Sequence, residues 1–226
     1  MNEEKYRRLI GPIEAALREH GGTPRGVLWP NEADLVTRYD VFFDMVRGHG
    51  GFSLLDVGCG PGLVLDYLEA RGWLDRVDYH GVDVSAAMIG RARADWPDRL
   101  FERRDLLTEP LPEGCVDYAM LAGVFTARFG LSHPEMEHFA TALLRAAWPS
   151  VRTALSFNVM SIHVDWQRDD LFHWPMDAAV AFCKAFLSRH VVVRADYGLY
   201  EYTVQVYREP VAGSLPVPPR WLSGAR

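Results

Sequence analysis

Leu54-Leu-Asp-Val-Gly-Cys-Gly-Pro-Gly62 decides the fold of this chain. An apolar run (Phe52, Leu54, Leu55, Val57) stops at three alternating glycines, Gly58, Gly60 and Gly62. Leu63, Leu65, Tyr67 and Leu68 then recur at helical spacing. The stretch reads as a buried strand, a tight loop and a helix. Glycines at those positions permit left-handed torsions and let main chain approach a ligand closely. The helix start presents unpaired N–H groups, and Asp56 at the strand end is expected to aim its carboxylate at the same place. Leu63 stands where the G-x-G-x-x-G loop of dinucleotide-binding folds has its third glycine, so a diphosphate cradle is not the reading.

Outward from the loop, Val77–Val82 alternates as a second strand and ends at Asp83, with Ser85 capping a helix that carries Met88, Ile89 and Ala92. Leu100–Arg104 is a short third strand, followed by Asp105-Leu106-Leu107. Cys115–Phe125 is a fourth, apolar enough for the centre of a parallel sheet. Ser132-His-Pro-Glu135 has capping-box form ahead of a helix through Ala147. Thr153–Phe157 is a fifth strand with Asn158 at its exit, and residues 160–175 form a polar, aromatic segment expected to serve as a substrate loop. A helix over 176–187 precedes two antiparallel strands, His190–Ala195 and Glu201–Arg208.

The D-x-G-x-G-x-G pattern, with Asp83 after the second strand and Asp105-Leu106 after the third, resembles the class I methyltransferases that use S-adenosylmethionine. The resemblance covers residues 52–208. It implies a seven-stranded, doubly wound, mostly parallel sheet of Rossmann-like type, ending in a reversed strand. It also implies a cofactor site. Asp56, Gly58, Cys59, Gly60 and Gly62 would surround the amino-acid end of the cofactor. Asp83, with Val84 beside it, would accept from the ribose hydroxyls, and its two oxygens match a vicinal diol. Asp105 and Leu106 would take the adenine, and Ala122 lies at the exit of the fourth strand. The competing readings are plain ones: a turn for the glycines, loop filling for Cys59, a helix cap for Asp83. S-adenosylhomocysteine would be the product.

Residues 1–51 form a helical extension, with helices over 3–19 and 32–48 and a break expected at Gly11-Pro12. Tyr6, Leu9, Ile10 and Ile13 share one face of the first. In this family such an extension often covers cofactor and substrate, and Trp29 and Tyr39 are candidate lid residues, with core packing as the alternative. Phe125, Asn158 and Tyr200 are further candidate substrate contacts. His133, His163 and His173 are candidate bases by type. The exit Ala122-Gly-Val-Phe125 lacks the Asn/Asp-Pro-Pro-Tyr/Phe sequence of enzymes that methylate bases or glutamine amides.

The 226 residues suit one large α/β domain, with residues 209–226 as a proline-rich tail packed through Trp221. The net charge of −6 and the lack of a basic run disfavour nucleic acid. No apolar run is long enough for a membrane span, and the charged N-terminus has no signal-peptide core, so the expected location is cytoplasmic. Cys59, Cys115 and Cys183 are scattered, and no metal site is expected. Three functions fit: methyl transfer to oxygen or nitrogen of a small metabolite or natural-product intermediate, methylation of a protein or RNA, or S-adenosylmethionine binding without transfer. No oligomeric state follows from the sequence.

Overall fold

Seven strands form one sheet in the order β3-β2-β1-β4-β5-β7-β6 in the computed structural model, which describes residues 3–29, 31–48 and 50–211. Side chains are described from residue 8 onward, so the Tyr6 side chain, Trp221 and the tail beyond residue 211 lie outside what is described. The strands are β1 (Phe52–Val57), β2 (Val77–Asp83), β3 (Leu100–Arg103), β4 (Val116–Phe125), β5 (Val151–Met160), β6 (His190–Arg194) and β7 (Glu201–Tyr207). β1 to β5 run parallel, and β7 lies antiparallel between β5 and β6. This is the mostly parallel, reversed-end sheet expected of a class I methyltransferase.

The helices are α1 (Glu3–His20), α2 (Glu32–Phe43), α3 (Leu63–Ala70), α4 (Ala86–Asp95), α5 (His133–Ala147) and α6 (Met176–Phe186). Strands apolar on both faces need helices on both faces. α2, α3 and α4 pack one side through Leu35, Phe42, Val64, Leu68, Ile89 and Ala92. α5, α6 and Leu9 of α1 pack the other through Met136, Leu144, Ala179 and Cys183. Side-chain caps set the helix starts: Asn31 accepts from Ala33 N, Ser85 accepts from Met88 N, and the Ser132/Glu135 box is complete.

Four boundaries differ from the sequence reading. α1 runs through Pro12 without a break. The ring fits helical φ and forfeits one N–H bond, a loss that the turns either side absorb. α2 stops at Phe43, because Met45 and Val46 tighten into bonds with Phe42 O and Phe43 O. β5 continues to Met160, so Asn158 is inside the strand, opposite Thr203 of β7. The segment after β5 is exposed at Asp165–Asp170 but turns inward at Phe172, His173 and Trp174, where Phe172 N donates to Thr126 O. The end of the expected substrate loop, Phe172–Trp174, is therefore core.

Candidate functional site

The loop after β1 is held from behind. Gly58 N and Cys59 N both donate to Val82 O (2.8 and 3.1 Å), Gly60 N donates to Asp83 Oδ2 (3.0 Å) and Gly62 N to Cys59 O (3.1 Å). With those N–H groups committed internally, the loop is not the nest of free donors that grips a diphosphate. Gly58 and Gly60 have φ of 72° and 55°. A Cβ on Gly58 would meet Val124 Cγ2 at 2.7 Å, and one on Gly60 would meet Val27 Cγ1 at 3.5 Å. Bare backbone here keeps a space open between the loop and those two valines.

That space is a cavity of about 1030 Å³, part of it open to solvent. Its walls come from the loop (Gly58, Gly60), the end of β2 (Asp83, Val84), the β3 exit (Asp105, Leu106) and the β4 exit (Ala122, Gly123, Val124). α1 closes it with Leu9, Ile10, Ile13 and Glu14, the following turn adds Val27 and Trp29, and α5 adds Phe139 and Leu143. Seven of the ten expected cofactor residues therefore line one cavity: Gly58, Gly60, Asp83, Val84, Asp105, Leu106 and Ala122.

The other three lie behind the lining. Gly62 is the N-cap of α3 and faces Phe101 and Trp96. Cys59 is buried beneath the loop, and burial, with Asp83 and Asp56 nearby, raises its thiol well above the ordinary value. It is a neutral filler with no thiolate character. Asp56 is buried and accepts from Tyr79 Oη at 2.9 Å, so its carboxylate does not reach the cavity as the sequence reading expected. Burial pushes the Asp56 carboxyl up to about 7, Asp83 adds to the rise, and the Tyr79 hydroxyl opposes it.

Asp83 is aimed by main chain. Its Oδ1 accepts from Ser85 N (2.8 Å) and its Oδ2 from Gly60 N. The Val84 N–H also pulls on the carboxylate, which leaves at least one of its roughly four acceptor positions open. Burial raises its pKa, those N–H groups pull it down, and Glu14 raises it again. Glu14 itself accepts from Ser85 Oγ at 2.6 Å, which latches α1 to the start of α4. Asp105 Oδ1 accepts from Leu107 N and so fixes the turn after β3.

At the β4 exit the sheet is irregular. Leu121 pairs with Phe157 and Phe125 with Val159, so four steps along β4 match two along β5. The bulge turns on Gly123 at φ 77°. Its N–H donates to Asn158 Oδ1 at 2.8 Å, and Trp29 lies directly on it: a Cβ there would meet Trp29 Cζ2 at 2.4 Å. Arg38 stacks on the Trp29 ring at 3.8 Å and donates from Nε to Glu201 Oε1 at 2.8 Å.

Glu201 and Asn158 belong to a polar seam under α2. Strand alternation puts Ser156, Asn158, Glu201, Thr203 and Gln205 on the α2 face, all buried. Gln205 Nε2 donates to Val41 O of α2. Ser156 Oγ is buried here without a partner among the described residues, which costs about 1–3 kcal/mol. Burial raises the Glu201 carboxyl against pulls from Arg38, Asn158 and Tyr197. The Asn158 amide and the Glu201 carboxylate act on each other as a hydrogen-bonded pair.

The remaining candidates fall elsewhere. Of the five candidate substrate contacts, Trp29 alone lines the cavity. Tyr39 and Phe125 are core: Tyr39 packs on Tyr67, and Phe125 on Phe139 and Phe157. Asn158 sits behind Gly123. Tyr200 is exposed beside Trp166. None of the three histidines lines the cavity. His173 is buried with Nδ1 on Ser161 O (2.6 Å) and Nε2 accepting from Arg168 N (3.2 Å), which staples the segment after β5. His133 bonds His173 O, and His163 is exposed. Arg38, Gly123 and Glu201 were not singled out from sequence. The available signal was polar residues alternating through Ser156–Asn158 and Glu201–Gln205, strands whose interior position calls for apolar ones.

Among the described residues no group of three or more His, Cys, Asp or Glu side chains gathers as a metal site, and no helix is long and apolar enough to cross a membrane. Residues 54–150 match a family model described as a methyltransferase domain. The chain is 34% identical over 164 residues to Rv1506c of Mycobacterium tuberculosis, which is named as a methyltransferase; the match covers 72% of this chain and 96% of that one. Its fold is similar to that of magnesium protoporphyrin IX methyltransferase from Synechocystis PCC 6803, solved with bound S-adenosylmethionine (TM-score 0.52, 14% identity, 91% and 90% of the two chains). It is also similar to DhpI in a DhpI–SAM–HEP complex (TM-score 0.57, 14% identity, 91% and 98%). With its glycine loop, acidic strand ends and reversed last strand, the chain belongs to the class I methyltransferases, enzymes that take their methyl group from S-adenosylmethionine.

Proposed function

We propose that this methyltransferase acts on oxygen or nitrogen of a small molecule, and that the cavity-lining residues expected from sequence hold the cofactor. The observation that carries the reading is the cavity itself: α1, Val27 and Trp29 cover it, which suits a small acceptor better than a polymer. The net charge of −6 supports the same choice over nucleic acid. S-adenosylmethionine, when bound, supplies an electrophilic methyl carbon on a sulfonium. Gly58 and Gly60 would receive its amino-acid end on bare backbone. Asp83 would accept from the ribose at its open acceptor position. Asp105 would take the adenine amino group, with Val84 and Leu106 against the ring. The work left to the protein is alignment and exclusion of water, and α1 with Trp29 would do both.

Calorimetric titration with S-adenosylmethionine and S-adenosylhomocysteine tests the cofactor assignment. Asp83→Ala should weaken both by about tenfold or more, since a charged acceptor contributes roughly 1.5–3 kcal/mol. Unchanged affinity would remove Asp83 from the site. Methyl-labelled cofactor incubated with a cell extract tests the acceptor. Label is expected in the low-mass fraction, and label on protein or RNA would overturn the small-molecule reading.

A further inference from the structure

We propose that Glu14 of α1 is the second acceptor for the cofactor's ribose diol, which makes the helical extension part of the cofactor site. The inference rests on the cofactor reading above and deepens it. It starts from a shortage at Asp83. A carboxylate has about four acceptor positions. Ser85 N and Gly60 N take one on each Asp83 oxygen, and the Val84 N–H draws on the same group. One position is left uncontested. A vicinal diol has two protons to give, and enclosing a hydroxyl without an acceptor is unfavourable. Asp83 serves one hydroxyl, and the other needs a different acceptor.

Besides Asp83, the oxygen-bearing side chains that line the cavity are Glu14, Ser85 and Asp105. Asp105 stands at the β3 exit, where it holds Leu107 N. Ser85 Oγ accepts from Met88 N as the α4 cap and spends its one proton on Glu14. It is also a neutral acceptor, weaker than a carboxylate. Glu14 differs from both. Among the described residues it accepts one hydrogen bond, at Oε1 from Ser85, and most of its acceptor capacity is unused.

Its position is fixed by Ser85, which binds both carboxylates. Ser85 N donates to Asp83 Oδ1 at 2.8 Å, and Ser85 Oγ donates to Glu14 Oε1 at 2.6 Å. The two acids therefore stand side by side on the cavity wall, close enough for Glu14 to push the Asp83 carboxyl up. Neither is ion-paired among the described residues. Two adjacent carboxylates with no cation between them call for donors, and a diol that gives one proton to each supplies them. Bound in this way, the ribose ties α1 to the end of β2 alongside the Ser85 latch.

The test is a binding cycle on the full chain, read by calorimetric titration with S-adenosylhomocysteine and its 2′-deoxy and 3′-deoxy analogues. Removing either hydroxyl should weaken wild-type binding by about tenfold, the scale of a hydrogen bond to a charged acceptor. In Glu14→Ala one of those two losses should shrink to within about twofold, and the other should stay near tenfold. The surviving loss marks the hydroxyl held by Asp83. If Glu14→Ala weakens all three ligands by the same factor, or leaves all three unchanged, the proposal is overturned and Glu14 only latches α1 to Ser85. A wild type indifferent to one of the hydroxyls overturns it too, because that hydroxyl then has no acceptor. Disappearance of both losses does the same, since the whole ribose would then depend on how α1 sits. Glu14→Gln, which keeps the length and the bond from Ser85, enters the same cycle with the same outcomes if the alanine variant does not fold. Failure of the wild-type chain to bind S-adenosylhomocysteine would instead strike the underlying cofactor reading.

Discussion

Asp56 is ionised in the unfolded chain above its ordinary value of 3.8 but holds its proton in the native state up to about 7. Across that window the native protein binds the extra proton, so Asp56 makes stability fall as pH rises from about 4 to about 7. Above about 7 the penalty is complete and constant. Three pKa units correspond to about 4 kcal/mol at full effect. Asparagine keeps the shape and an oxygen for the Tyr79 hydroxyl without the charge. Asp56→Asn should therefore be more stable than wild type at pH 8 by about 2–4 kcal/mol in denaturant melts, and the gap should close towards pH 4. An equal gap at both pH values would mean that the residue is not titrating in this window. The position is instructive for reading sequences. An aspartate at a strand end beside a glycine loop looks like a ligand, but here the chain turns it under the loop, against Tyr79.

Glycines show the same division between what adjacent residues decide and what packing decides. Gly26, in the turn Pro24–Val27 after α1, lies so close to Gly21 that a Cβ would stand 1.9 Å from Gly21 O. Gly26→Ala must push the turn off the end of α1, at a cost of about 1–3 kcal/mol. It should also weaken S-adenosylhomocysteine binding, because Val27 and Trp29 follow directly. Gly90 is exposed within α4, with nothing within 4 Å of a built Cβ. Gly90→Ala should stabilise by about 1 kcal/mol and leave binding alone. Equal melting shifts for the two variants would contradict this account. The first strand, its loop, the Ser85 cap and the Ser132/Glu135 box were legible because each is written in consecutive residues. The β5 extension, the β4 bulge and the polar seam were not, because long-range pairing makes them: Arg38 and Glu201 are 163 positions apart. Tyr39, with core packing as its alternative, and Phe125 were candidate substrate contacts for a related reason. An apolar face in a sequence does not say whether core or cavity will meet it.

Across the whole molecule, burial is unequal, and stability should follow it. β4, β5 and β7 are covered on both faces, with Ala119, Leu121, Leu155, Phe157, Tyr202 and Val204 fully enclosed. α1 lies over the cavity and is tied to the floor by the buried Leu9, Ala16 and Leu17 and by the Glu14–Ser85 latch. It should open locally while the sheet stays closed. If α1 is part of the binding site, its opening must release the ligand, and ligand binding then resists that opening. At a ligand concentration of 100 Kd the added free energy is about 2.7 kcal/mol, or about 100-fold in the open population. Hydrogen exchange of residues 9–20 should therefore slow by about 100-fold with S-adenosylhomocysteine at that concentration. β6, at the far edge of the sheet, should show no such local slowing. If amides of α1 exchange at the same rate with and without ligand while the β1 loop is protected, the cofactor binds without α1. The helix would then be a fixed wall of the acceptor side, and water exclusion would rest on Trp29 and the turn before it.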